Sequence, residues 1–343
     1  MVKLKELLNR SFEIPKLDFS RFDPAVSKSI EYLSSPAALA SIEADPYWPK
    51  WDAPWWHMSV LFEMGLADMI PKRTAKRLLE EVAATHLPYF FKAEAPENKT
   101  AKQDAPCPCA FGNIYQILNA TGLNVDATLP WARGWFVKYQ LGDGGLSCDE
   151  GAYHADAKAS SMVGTISPLE AMLSVSQLTS AEENFLNLGA KCILERKLMF
   201  GSISQFNAEE RLDEADWIKP CFPRLYFYDV LRGLNFIVRW SERLKRPIPE
   251  LSITPVIEQI FKKFPNGNIL IERHSYEDVG TKKMDIDGKW ERGFSATRFA
   301  LLSEVSAIGS ESPFLTKCWN ETLILLSSLQ KDGLIAEGGH SDL

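Results

Sequence analysis

Thiols and imidazoles are the scarce groups in this sequence, and several stand close enough to act together. Cys107 and Cys109 flank a single proline, and Cys148, Asp149 and His154 follow the pair Gly144-Gly145. Thiolate and imidazole ligands suit zinc, and a catalytic zinc site keeps one coordination position open. The expected metal ligands are therefore Cys109, Cys148 and His154, with Asp149 or His57 as the fourth group. None of the spacings is a tight metal motif, because Cys107-x-Cys109 is shorter than Cys-x-x-Cys. The competing reading is packing, because small buried cysteines at tight helix starts are common. Cys192 and Cys318 fall on amphipathic stretches and read as core.

The candidates for acid, base or nucleophile work are His57, Asp149, Tyr228 and Asp229. His57 stands beside tryptophans, where a packed, hydrogen-bonded wall residue is an equal reading. Tyr228, Asp229 and Arg232 lie within about one helical turn and are placed to grip a polar group; an internal Asp–Arg pair at i, i+3 is the simpler role. Arg292 is a phosphate contact or a surface ion pair. Trp48, Trp51, Trp55 and Trp56 form a cluster that either lines an apolar cavity, where ring faces stabilise cations, or closes it as a lid. The residues expected to line such a cavity are Trp55, Trp56, Phe111, Tyr115, Phe227 and Phe294, with Arg232 and Arg292 as its polar contacts. The polar stretch 272–290, which carries Asp278, Asp285 and Asp287, reads as a solvated flap.

Helices of two kinds must position these groups. Residues 105–125 carry one charged-free run in which Ile114, Ile117 and Leu118 keep helical spacing; 159–181 holds Glu170 as its single charge, and 55–66 holds Glu63. A helix without a charged face has to be surrounded by protein. Between these runs lie amphipathic ones, each ending near a glycine: Gly144, Gly201, Gly267 and Gly333 recur at similar intervals, where a helix stops and the chain turns. Inner helices are expected near 55–66, 109–121, 163–177, 222–239 and 293–307, and outer ones near 72–86, 126–140, 180–196, 250–263 and 311–330. Alternation of uncharged and half-charged helices describes two concentric rings, an all-α toroid of about six hairpins. Residues 1–44 supply the helical segment that closes the ring, 45–335 the toroid and 336–343 a tail, all in one domain. An open solenoid is the alternative.

The run Trp135 to Leu146 (WFVKYQLGDGGL) resembles the repeat of squalene cyclases and protein prenyltransferases. Tyr47 to Met58, Cys109-Ala110-Phe111-Gly112-Asn113, Leu146-Ser147-Cys148 and Pro223 to Arg232 further resemble bacterial prenyltransferase/squalene-cyclase-like proteins, and the set covers residues 45–335 in order. The resemblance implies the α/α toroid of the terpenoid cyclase and protein prenyltransferase superfamily, an isoprenoid or other apolar substrate in a central cavity, and zinc at its rim. Parallel inner helices would bring their N-termini, with dipoles that favour anions and thiolates, to one rim. The sequence departs from the family in two respects. Asp285-Ile286-Asp287-Gly288 lacks the last acid of the cyclase Asp-x-Asp-Asp motif, and the zinc-type residues stand in a different order.

Over 343 residues the net charge is −7, with 45% hydrophobic and 24% charged residues. That balance excludes a nucleic-acid binder, which needs surplus basic charge. The sequence lacks an apolar run of about 18 residues able to span a bilayer, and with six cysteines and no export signal a cytoplasmic protein with free thiols is expected. Three functions follow: a prenyltransferase- or cyclase-like enzyme, a non-catalytic binding or scaffold protein that kept the toroid, and a polysaccharide-active α/α-barrel enzyme. The last requires two carboxylates about 5–10 Å apart in a cleft, for which Glu63, Glu170, Asp229 and Glu304 are the candidates.

Overall fold

The computed structural model describes residues 4–8, 18–154, 160–277, 280–285 and 289–336. Asp156, Asp278, Asp287 and tail residues 337–343 lie outside them. The fold is all-α. In chain order the helices are α1 (Leu4–Leu8), α2 (Asp23–Ser34), α3 (Pro36–Ala44), α4 (Pro54–Glu63), α5 (Lys72–Thr85), α6 (Pro108–Ala120), α7 (Val125–Thr128), α8 (Ala132–Lys138) and α9 (Met162–Ser174). They continue with α10 (Ser180–Glu195), α11 (Ala208–Asp213), α12 (Val230–Leu244), α13 (Glu250–Lys263), α14 (Ala300–Val305) and α15 (Pro313–Lys331). Among the described residues, strands are limited to a parallel contact of Ile248–Pro249 with Ile335–Ala336 and an antiparallel hairpin of Thr281–Met284 with Trp290–Phe294. Among the described residues no helix is long and apolar enough to cross a membrane.

Local chemistry sets the helix starts. Proline occupies the first turn of α3, α4, α6 and α15, where its missing N–H costs nothing. Ser161, Asp229 and Ser312 cap α9, α12 and α15 by accepting backbone N–H groups, and Thr179 with Glu182 forms a reciprocal capping box on α10. The helices α4, α6 and α9, with at most one charged residue each, are buried along nearly their whole length. On α6, Phe111, Ile114 and Leu118 are buried, while on α5 Lys76 and Glu80 are exposed. Lys191 on α10, expected outside, is half-buried.

Neighbouring helices follow an order. α4 packs on α6, α6 on α9, α9 on α12 and α12 on α15, while α14 packs on both α2 and α4. Phe314 at the start of α15 lies against Phe19 and Phe22, which lead into α2. The backbones of α6 and α9 cross closely: a Cβ added at Gly112 would sit 2.5 Å from the Pro168 nitrogen and 2.6 Å from the Ser167 carbonyl carbon.

Three expected helices differ. The stretch 222–229 is irregular, since Asp229 caps α12 and the helix cannot begin before it. Residues 290–294 form a hairpin strand and helix follows only from Ala300. The expected outer helix 126–140 is split into α7 and α8 around Pro130, which cannot continue a helix interior. In addition α15, assigned to the outer set, packs beside α12 and lines the same cavity as α4, α6 and α9.

One buried acid makes the fold pH-dependent. Glu210 accepts the Val163 N–H at the start of α9 (3.1 Å), while its other oxygen is buried without a partner among the described residues. Burial pushes its carboxyl up to about 7 from 4.5, against the pull of that N–H and of Arg196. The folded state therefore holds this proton more tightly than the unfolded chain. Its contribution is complete below about 4.5 and is lost as pH rises to about 7. Glu210→Gln should flatten this decline and gain on the order of 2 kcal/mol at pH 8, read from urea melts at pH 5 and 8. An equal slope in both proteins would refute the assignment.

Candidate metal centre

The proline between the two cysteines sets the geometry. Pro108 opens α6, so Cys107 becomes the extended N-cap residue and Cys109 falls in the first turn. Cys148 arrives from the turn after α8: Gly144 adopts φ +90° with Leu188 O so close that only glycine fits, and the Leu146 N–H is fixed by Thr165 Oγ1 at 2.9 Å. The Sγ atoms of Cys107 and Cys109 lie 3.3 Å apart, as do those of Cys148 and Cys109. All three lie within 4.8 Å of one another and form a ligand set able to hold a metal ion. Cys109 is buried, and Cys107 and Cys148 open on a cleft of about 190 Å³ walled by Tyr89, Phe90, Lys92 and Lys99.

The surroundings favour one thiolate. Hydrogen bonds from Cys109 and Cys148, reinforced by the Cys109 and Ala110 N–H groups at the helix start, hold the Cys107 thiol well below its usual range against the cost of burial. Its hydrogen bonding in turn pushes Cys109 and Cys148 up. Tyr47 and Tyr226, joined through their hydroxyls at 3.0 Å, stand near the cluster, and burial raises both. Lys50, over the rings of Trp48 and Trp51, feels the cluster's charge but is lowered chiefly by burial. His86 is pushed down to about 4 by burial, with Asp104 and Cys107 opposing, so its imidazole is neutral.

The remaining expected residues lie elsewhere. The third member of the cluster is Cys107 and not His154, which is exposed and faces Glu150 at 3.9 Å and the Phe91 ring. Asp149 caps the turn 150–153 through the Gly151 N–H. His57 stacks on Phe299 and bonds Ser29 Oγ through Nδ1 at 3.2 Å, with Asp52 3.6 Å from Nε2; burial lowers its pKa. Tyr228 donates to Leu198 O. Asp229 accepts the Arg232 N–H, but its ion pair is with Arg224 (2.8 Å), and Arg232 pairs with Glu170 (2.6 Å). Trp55 and Trp56 are fully buried against each other, Tyr47 and Tyr226. Phe111 and Tyr115 pack on Trp131, Trp135 and Phe136 in and beside α8, and Phe227 lies against Tyr226 and Trp51. Arg292 and Phe294 belong to the hairpin; Arg292 is exposed and Phe294 lies under Lys283.

A second space lies further along α6. Asn113 and Gln116 join residues of α4, α9, α12 and α15 around a cavity of about 630 Å³. Gln116 is seven residues beyond Cys109, about 10 Å along the helix. Comparison of the chain with protein-family models, curated proteins and solved structures found no match.

Proposed function

We propose that the chain is a zinc-dependent enzyme with the α/α toroid of prenyltransferase- and squalene-cyclase-like proteins, its metal held by Cys107, Cys109 and Cys148. The carrying observation is the convergence of three thiols on one cleft, two of the three separations being 3.3 Å. Three thiolates on a tetrahedral zinc with Zn–S near 2.3 Å stand about 3.8 Å apart, so the two 3.3 Å separations need to widen by about half an ångström, and the third lies within 4.8 Å. The toroid is supported by the order of contacts α4–α6–α9–α12–α15, with α14 and α2 bridging back toward α4.

Three protein ligands leave a fourth position, and the cleft of Tyr89, Phe90, Lys92 and Lys99 gives access to it. Zinc there would supply a Lewis acid that lowers the pKa of a bound nucleophile. Cys107 supplies the first anionic ligand, and Lys50 offsets charge at the cluster. The ligand class implied by the resemblance is an isoprenoid or another apolar molecule, and the rings of Tyr89 and Phe90 offer it apolar surface.

Cobalt substitution tests the reading. Co(II)-loaded protein should show thiolate charge-transfer bands and a tetrahedral d–d envelope that shifts when a small thiol occupies the open position; farnesyl diphosphate should shift it more than geranyl diphosphate. An octahedral spectrum without thiolate bands would rule the centre out, and a thiolate spectrum indifferent to every added ligand would reduce it to a structural site.

A further inference from the structure

The cavity of about 630 Å³ lies in the range of small-molecule sites, and its lining is strongly polar. Arg224, Arg232, Arg239, Arg243 and Lys317 share it with Glu63, Glu170, Glu242 and Glu321, so what it can bind depends on which charges are already used. Glu170 is bound by Arg232 through both oxygens. Glu63 is half-buried and accepts the backbone N–H groups of Arg224 and Leu225 at 2.8 and 2.6 Å. Glu321 lies 3.9 Å from Lys317, and Arg243 donates to the carbonyls of Leu173 and Ser176 at the end of α9.

Two guanidinium groups retain capacity. Arg224 gives Nε to Asp229 at 2.8 Å and approaches Cys318 Sγ with Nη2 at 3.9 Å. Among the described residues its Nη1 has no acceptor. Arg239 has no carboxylate within ion-pairing distance among the described residues, and both arginines act on the Cys318 thiol. Two carboxylates stand against them: Glu63, whose charge acts on Arg224, and Glu242, which has no partner among the described residues. Phe222, Phe236 and Phe314 supply apolar wall in the same cavity.

We propose that this cavity binds a small organic oxyanion, a phosphate ester or a carboxylate, with its charge on Arg224 and Arg239 beside Cys318 and its apolar part against Phe222, Phe236 and Phe314. Planar guanidinium forks recognise such groups with two parallel hydrogen bonds. The site is independent of the thiol centre at the other end of α6.

Calorimetric titration with inorganic phosphate, hexyl phosphate and hexanoate tests this on the full chain, both as purified and after zinc removal by a chelator. One of the organic probes should saturate a single site and bind more tightly than inorganic phosphate, with the same affinity in both preparations. The tighter of hexyl phosphate and hexanoate identifies the headgroup. Arg239→Gln should weaken binding about ten-fold with an unchanged melting temperature, and the bound probe should shield Cys318, but not Cys148, from methyl methanethiosulfonate. Arg224→Lys provides a second variant that keeps a charge for Asp229. Failure of both organic probes to saturate, binding no tighter than inorganic phosphate, or binding untouched by Arg239→Gln with Cys318 unshielded would overturn the site.

Discussion

Arg232→Met should destabilise the protein by about 3–5 kcal/mol, the largest single effect expected outside glycine. Arg232 is buried and donates to Glu170 and to the carbonyls of Leu225 and Phe227. Methionine fills a similar volume but removes the donor to two carbonyls and leaves the carboxylate only the long contact from Gln116 Nε2 at 3.5 Å. Leu225 is held at φ +56°, a conformation that non-glycine residues resist, so the turn depends on these bonds and on Glu63. Removing both charges with Glu170→Met in the same chain should recover much of the loss, because an unpaired buried charge costs more than an absent pair. Urea unfolding of the two single variants and the double variant measures it; additive losses would show that the pair is not coupled.

Gly112→Ala should cost at least about 3 kcal/mol. The added Cβ would meet backbone atoms at 2.5 and 2.6 Å, and neither α6 nor α9 can yield without separating the two helices. Gly134 on α8 has nothing within 4 Å of such a Cβ, so Gly134→Ala should instead gain about 0.5–1 kcal/mol through helix propensity. Similar thermal shifts in the two variants would show that the α6–α9 contact is looser than its geometry implies.

Helix positions were readable because burial leaves its mark on charge. The stretches around 55–66, 109–121 and 163–177, with at most one charge each, correspond to α4, α6 and α9 within a few residues, and 250–263 is α13. The direction each side chain takes was less readable, for the same reason: a helix without a polar face gives no sign of which side meets the cavity. On α6 the large aromatics Phe111 and Tyr115 turn toward α7 and α8, where Tyr115 donates to Asp126 at 2.7 Å. The small polar pair Asn113 and Gln116 faces the cavity. The isolated Glu63 and Glu170 were the better signal, since a lone carboxylate on a buried helix needs a partner, and each has one in the cavity wall.

The site was partly legible. Cys109 and Cys148 converge as their places after a helix start and a glycine turn implied, and a neighbouring signal pointed to Cys107: Pro108 fixes the first turn, so residues 107 and 109 become N-cap and second helical position and project to one side. Counting the spacing against Cys-x-x-Cys hid this. His154 lies six residues past Cys148 and the intervening turn, capped by Asp149, carries it out to solvent.

Zinc content of the purified protein, measured by inductively coupled plasma mass spectrometry on the parent and on single variants, tests the central claim most directly. The account predicts about one zinc per chain in the parent, in His154→Ala and in Cys318→Ser, and loss of most of it in Cys107→Ser, Cys109→Ser and Cys148→Ser with helical circular dichroism unchanged. A parent protein that carries no metal and takes up none at neutral pH, or a Cys107→Ser variant that keeps its zinc while His154→Ala loses it, would contradict it.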